Sequence, residues 1–467
     1  MSETGRHPAF AGKEQNHMKM TFVGGGSSRL IPSVREILKI GDPVCGSHIC
    51  LYDIDQESAE AVARILRQFP EARGLDVTVS CPTDLDEALE GADFVELLAG
   101  PWNWRAFYRS FEVCTRYGYL AGGNLSVNAA FSVLKGGPLA LDIAHRMERV
   151  APDGLFMIFT NPIAVLAKTV NAGTSIRGIG ICEGQIGHFL DVPRVMGWDQ
   201  PRFDIEAIAA GTNHFSWIVG LTLNGDDLLP AMAQRFAQGI DFDRLALDPH
   251  WGHIEDSFRF MVDAYYVTGH MIYSIEGDGV PHLIGYDDAV RGERNLRYHE
   301  RVDELLENRR QGRQQIIERS RQELGDKFWN RDPSPFTPRH PRTVTDACVL
   351  RGMLTDRPET VSVSYLNNGI IEGFDNDDIV EYTVEVSGGQ FRPMGAYPCR
   401  LPPATSGVTH GIVEHQMLLA QAVIQEDPRI FEQAIYAYPM CRTKRTVDAL
   451  LAEMKELNAD ELPPWMK

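Results

Sequence analysis

A chain of 467 residues, 43% hydrophobic and 23% charged, has ordinary globular composition, which excludes disorder as the dominant state and allows one large α/β domain or two to three smaller ones. Its 45 basic and 64 acidic side chains leave a formal charge of −19. A nucleic-acid groove or an anionic membrane surface would need a local basic patch against that field, so neither partner is expected.

No apolar run approaches the ~18 residues needed to cross a bilayer. The first 17 residues show no apolar signal core and read as a flexible lead-in, so the expected location is cytoplasmic. The 8 cysteines are too few for a disulfide scaffold. Most read as small buried hydrophobes, and Cys45 with Cys50 lacks the second pair that structural zinc requires.

The first predicted element is the strand MKMTFV, which meets Gly24-Gly25-Gly26-Ser27-Ser28 and then the helical pattern LIPSVREILKI. A second strand, HICLY, ends in Asp53-Ile54-Asp55 before the helix QESAEAVARILRQFPEA. Further alternation follows: a strand at 77–79, the helix DLDEALEGA, the strand DFVELLAG, a long helix over 126–150, and the strand LFMIF ending in Thr160-Asn161-Pro162. Strands alternating with helices predict a parallel sheet with right-handed crossovers. The fold class is therefore α/β, an N-terminal Rossmann-type parallel sheet (18–180) followed by a mixed α+β substrate and metal half (181–467).

In the second half, helices are expected near 255–275. The charge-dense segment 301–324 reads as a solvated helix, because acids interleave with its arginines. A Pro/Arg-rich loop spans 331–343, strands follow at 361–366 and 379–385, and helices run from about 406 to 457.

Glycines at a strand-to-helix turn let the backbone approach a pyrophosphate, whose charge is met by N–H groups and the positive helix end. Gly24 and Gly26 fill the first two positions of the G-x-G-x-x-G fingerprint, with Gly25 between them, but Arg29 stands where the third glycine belongs. The flanking strand and helix, with Ser27 in the turn, point to a dinucleotide. Asp53 lies slightly further on than the usual ~20 residues and favours NAD over NADP, since a carboxylate repels a 2′-phosphate.

Two further segments carry chemistry: Cys182-Glu183-Gly184 after an apolar run, and Thr212-Asn213-His214. A thiolate and an imidazole can hold a divalent ion with positions open for substrate oxygens. A buried thiol and a structural histidine explain the same residues, and sequence spacing does not choose between the two.

Taken together, VGGGSS with LYDID, DEALEGADFVELLAG, Thr160-Asn161-Pro162, Cys182 followed by a polar residue and Gly184, Asn213-His214, and NNGIIEGFDNDDIVE make the chain resemble glycoside hydrolase family 4 over nearly its whole length. These are NAD- and divalent-metal-dependent glycosidases related in fold to lactate and malate dehydrogenases. They stand outside the two-carboxylate scheme of most glycosidases. The resemblance implies NAD and manganese or another divalent metal as cofactors. It also implies a small glycoside or sugar as substrate, and a homodimer or homotetramer whose interface the apolar helix IVEHQMLLAQAVI could bury.

By the same resemblance, Cys182 and His214 are the metal ligands and Glu183 is the candidate general acid. Tyr265 or Tyr266 is the base; adjacent side chains diverge, so only one can face the sugar. Asn161, Arg105 and Asn213 lie on the substrate side, with Trp102 and Trp104 around Arg105 forming either a sugar-stacking surface or core. Glu276, Asp278 and His282 are further possible sugar contacts. The implied chemistry oxidises C3, which acidifies the C2 proton; elimination, water addition and re-reduction follow. A sugar or uronic-acid dehydrogenase on the same scaffold is the alternative, and would accumulate NADH. A silent NAD-binding subunit would show no metal-dependent turnover.

Overall fold

The computed structural model describes residues 17–119, 121–240, 254–273, 300–324, 340–440 and 443–467. Glu276, Asp278 and His282, residues 331–339 of the expected loop, and Cys441 lie outside them. The described strands form one twelve-stranded sheet. They are β1 (Lys19–Val23), β2 (His48–Tyr52), β3 (Thr78–Ser80), β4 (Phe94–Leu97), β5 (Leu155–Ile158), β6 (Gly178–Ile181), β7 (Ile205–Thr212), β8 (Phe215–Leu223), β9 (Asp226–Asp227), β10 (Glu359–Leu366), β11 (Ile379–Ser387) and β12 (Gln390–Pro393).

The first six run parallel in the order 3-2-1-4-5-6, the doubly wound arrangement of dinucleotide-binding domains. Alternation along β5 shows how it is held: Leu155 and Met157 enter the core on one face, Phe156 and Ile158 that on the other. All four are 0% exposed, and each contributes about 1.5–3 kcal/mol by burial. A strand covered on both faces reads as a continuous apolar run because both side-chain rows are dry.

The parallel part reaches one strand further than the alternation up to residue 160 indicates. Past β6 the same sheet continues antiparallel through β10, β11, β7, β8 and β9, with β12 on β11. The joint is Val363 of β10 against Ile181 of β6. Residue 181 therefore closes the parallel run inside a single sheet, immediately before Cys182.

One face is covered by the helices Leu30–Leu38 and Thr345–Leu354, the other by Val127–Val150 and Ile163–Gly173. The helix Pro403–Gln425 packs on the latter two. Its apolar face, expected to bury a subunit interface, is used inside the chain: Leu419, Ala420, Ala422 and Val423 share a core with Phe131, Leu134 and Phe431. In NNGIIEGFDNDDIVE, Asn367 pins the β10–β11 connection. Its amide donates to the carbonyls of Ile371 (3.1 Å) and Phe374 (3.0 Å), and its Oδ1 accepts from the Ile371 N–H (2.7 Å). No helix of the described residues is long and apolar enough to cross a membrane.

Candidate active site

The C-terminal ends of parallel strands are where open α/β sheets bind ligands, and the predicted residues gather there. After β1, Gly24 takes φ +96°, and a Cβ on it would sit 2.6 Å from the Ala99 nitrogen. Only glycine lets the turn lie so close to the strand β4 end. The Gly24 and Gly25 N–H groups both donate to the Tyr52 carbonyl (2.9 Å), and Gly26 N–H donates to Asp53 Oδ2 (2.9 Å). Asp53 thus reaches back onto the glycine turn, and its Oδ1 accepts from the Asp55 N–H (2.9 Å).

Cys182 ends β6 and opens a short turn, its Sγ accepting from the Gly184 N–H at 3.3 Å. Asn213 and His214 form the two-residue connection between β7 and β8. His214 has φ +64°, a conformation uncommon for a side chain other than glycine and enriched where function constrains the backbone. The hairpin is fixed from β11: buried Glu381 accepts from Asn213 Nδ2 and from Ser216 Oγ, both at 2.7 Å.

The result brings together residues 32 apart in sequence, with Cys182 Sγ 3.6 Å from His214 Nε2. Metal bonds of about 2.3 Å to sulfur and 2.1 Å to nitrogen, meeting near the tetrahedral angle, span about that distance. The separation therefore suits a divalent ion, which would take the Nε2 lone pair in place of the Asn124 amide that donates to it at 2.9 Å. Among the described residues no group of three His, Cys, Asp or Glu gathers to hold a metal ion.

Four neighbours were not legible in the sequence. Buried Asn124 donates from Nδ2 to His214 Nε2 (2.9 Å), while its Oδ1 accepts from the Ile163 N–H (3.2 Å). It therefore satisfies the start of the helix Ile163–Gly173. Asn161 lies beside this segment, its Nδ2 2.9 Å from where a Cβ on Gly123 would sit. Glu381, the hairpin anchor, is the second. Arg29, at the third-glycine position, is the third: its guanidinium lies 3.5 Å over the Phe159 ring and pairs with Glu183 at 2.8 Å, tying the glycine turn to the residue after Cys182. Burial would lower the Arg29 pKa, but Glu183 and then Asp346 outweigh it and raise it.

Beneath this pair, fully buried Glu96 on β4 is pushed well above the carboxylate range, first by burial and then by Asp346. The fourth is Tyr273, in a segment that adds to the edge of β8 through the Tyr273 N–H to Ser216 carbonyl bond (2.7 Å). Its phenol accepts from Ser362 Oγ (2.9 Å) and is pushed far up, mainly by burial, with Glu381 and Cys182 adding to the effect.

The other expected site residues have contacts of their own. Tyr265 and Tyr266, on the helix Ile254–Thr268, both contact Phe236. The Tyr265 ring stacks on it at 3.5 Å, and the exposed Tyr266 donates its hydroxyl to the Phe236 carbonyl (3.2 Å). Burial raises the Tyr265 pKa. Arg105 is paired with Asp303 at 2.7 Å. Of the two readings of the tryptophans, packing describes this arrangement: Trp102 and Trp104 join Phe107 in one aromatic cluster.

The family 4 glycosyl hydrolase model matches residues 19–197, and the model of that family's C-terminal domain matches 209–441. The chain belongs to glycosyl hydrolase family 4. Relatives in it include an α-galactosidase of Bacillus subtilis, 23% identical over 96% of this chain and 99% of the relative. An α-galacturonidase of Thermoanaerobacter italicus is 22% identical over 98% and 100%. Among solved structures, a 6-phospho-α-glucosidase from gut microorganisms, in complex with NAD and Mn2+, superposes with a TM-score of 0.78 at 18% identity, covering 97% of this chain and 100% of that one.

Proposed function

We propose that this family 4 protein hydrolyses a small glycoside by C3 oxidation, C2 deprotonation with elimination, water addition and re-reduction, using NAD+ and a divalent metal such as Mn2+. The observation that carries the reading is the Cys182–His214 pair at 3.6 Å, joined through Glu183 and Arg29 to the glycine turn. NAD and Mn2+ are bound together in the 6-phospho-α-glucosidase of similar fold. When bound, NAD+ supplies a hydride acceptor and donor, and the metal a Lewis acid.

The chain's own residues divide the remaining work. Gly24, Gly25, Gly26 and Ser27 offer the close-approach turn for a pyrophosphate, and Asp53 the acceptor for the ribose hydroxyls. Cys182 and His214 hold the metal; Asn161, beside Asn124, faces the sugar. Asn213 serves the site by holding the hairpin through Glu381. Tyr265, the more enclosed of the two tyrosines, is the base; burial raises its pKa, so ionisation near neutrality requires a positive charge beside it. Glu183 is the acid to the leaving group and has to exchange its ion pair with Arg29 for a proton first. We take 18–180 as the cofactor half and 181–467 as the metal and substrate half, in a homo-oligomer of the cytoplasm, the compartment that keeps Cys182 reduced.

The test is a panel of nitrophenyl glycosides, glycuronides and 6-phosphoglycosides with NAD+, Mn2+ and a thiol reductant. Nitrophenol release without net NADH is expected on at least one. NADH accumulating on free sugars, with no nitrophenol from any glycoside, would establish the dehydrogenase reading instead.

A further inference from the structure

The charge-dense helix Val302–Ser320 does not stand free in solvent. It packs across the helices Gln56–Leu66 and Trp104–Arg116 of the nucleotide half. Its contacts fall along one side. Val302 is buried, Asp303 pairs with Arg105 at 2.7 Å, and Arg309 lies 3.4 Å over the Trp104 ring. Further along, Arg313 reaches Asp55, and Ile317 and Ser320 are buried. That spacing defines a single helical face, made of arginine, aspartate and two apolar anchors rather than of an apolar stripe. The alternation of charges that reads as solvation in sequence hides it.

The Arg313 contact leads to the predicted cofactor acid. Its guanidinium forms a two-pronged pair with Asp55, Nε to Oδ2 at 2.6 Å and Nη2 to Oδ1 at 2.8 Å, and Nη2 also reaches Glu57 at 3.1 Å. The Arg313 bonds hold the Asp55 carboxyl well below its usual range. Asp55 caps the helix Gln56–Leu66 through Ser58, and its own N–H donates to Asp53 Oδ1, whose other oxygen accepts from Gly26. Between the two aspartates, Ile54 is 94% exposed, so this end of the cleft is open. Arg313, Asp55, Asp53 and Gly26 thus form one unbroken line of polar contacts from a helix in the second half of the chain to the glycine turn.

We propose that the helix Val302–Ser320 is a clasp on the adenosine end of the cofactor site, with Arg313 a positioning residue that sets Asp53 for the ribose hydroxyls by way of Asp55. The proposal rests on the NAD reading above. Arginine suits the task because its planar fork fixes both oxygens of a carboxylate, and therefore the direction of the loop carrying it; lysine, a point charge, fixes only one.

Calorimetric titration of NAD+ into the full chain separates the possibilities. Arg313→Met is expected to raise the NAD+ Kd about 3- to 10-fold, and Arg313→Lys to raise it less. Arg310→Gln removes an arginine whose partner among the described residues is Glu307 on the same helix, and is expected to leave the NAD+ Kd unchanged. At saturating NAD+ the glycoside KM of Arg313→Met should match the parent, a split that general loosening of the fold would not produce. Equal NAD+ affinity in Arg313→Met and the parent, or an equal loss in Arg310→Gln, would overturn the clasp. A parent protein that binds no NAD+ at all would instead overturn the cofactor reading beneath it.

Discussion

Glu183 separates what residue type suggests from what geometry allows. A carboxylate beside Cys182 invites the role of general acid, yet the side chain is engaged by Arg29 at 2.8 Å. If it acts as acid after release, Glu183→Gln should lower kcat about 100-fold or more on an alkyl glycoside, whose leaving group needs protonation. The same variant should change kcat little on a nitrophenyl glycoside, whose leaving group departs as the anion. An equal loss on both would place Glu183 in positioning rather than proton transfer. At this scale the glycine turn was legible from its strand-to-helix setting, whereas Cys182 and His214 were singled out by the family resemblance and not by their local sequence. Asn124, whose bond to His214 spans 90 residues, was not legible, because asparagine after two glycines reads as an ordinary turn. Arg29 was visible only as a departure from a fingerprint, and its partner became apparent once β1 and β6 were placed on the same sheet edge.

Elements were more legible than residues. The strands HICLY and LFMIF and the helix over 126–150 follow their patterns closely, since period-two burial and helical spacing are local properties. The clasp helix shows where that reading stops: its existence was local, its docking face was not. A similar long-range constraint fixes the C-terminal helices. His415, on the helix Pro403–Gln425, is buried and bonded through Nδ1 to the Ala434 carbonyl at 2.7 Å on the next helix. Burial pulls its pKa down to about 4, with the Ala434 bond opposing. The unfolded chain, near 6.5, therefore takes up the proton first. The stability held by neutral His415 is present above pH 6.5 and is lost as pH falls toward 4, by about 2 kcal/mol between pH 7 and pH 5. The stability gap between the parent and His415→Gln, from denaturant unfolding, should therefore shrink over that interval. A gap that stays constant with pH would show that His415 does not titrate as its burial requires.

At the scale of the molecule, the sequence alternation predicts a nucleotide half and a mixed half, and one continuous sheet runs through both. The parallel strands end at β6, β10 pairs with its free edge, and Cys182 is the first residue past that joint. The β7–β8 hairpin then returns His214 to the thiol from further along the same sheet, held by Glu381 on β11. Strand order across the joint depends on the pairing of residues 180 and 364, which no local pattern encodes. The charge of −19 argues against nucleic acid and says nothing of the sugar.

Removal and return of the C2 proton is the step that sets this chemistry apart from both direct hydrolysis and simple dehydrogenation. The decisive measurement is therefore mass-spectrometric and NMR analysis of the sugar released in D2O from the glycoside the panel identifies. The account predicts deuterium at C2 and ordinary hydrogen at C3, with no net NADH. Aglycone release that leaves C2 unlabelled would contradict it.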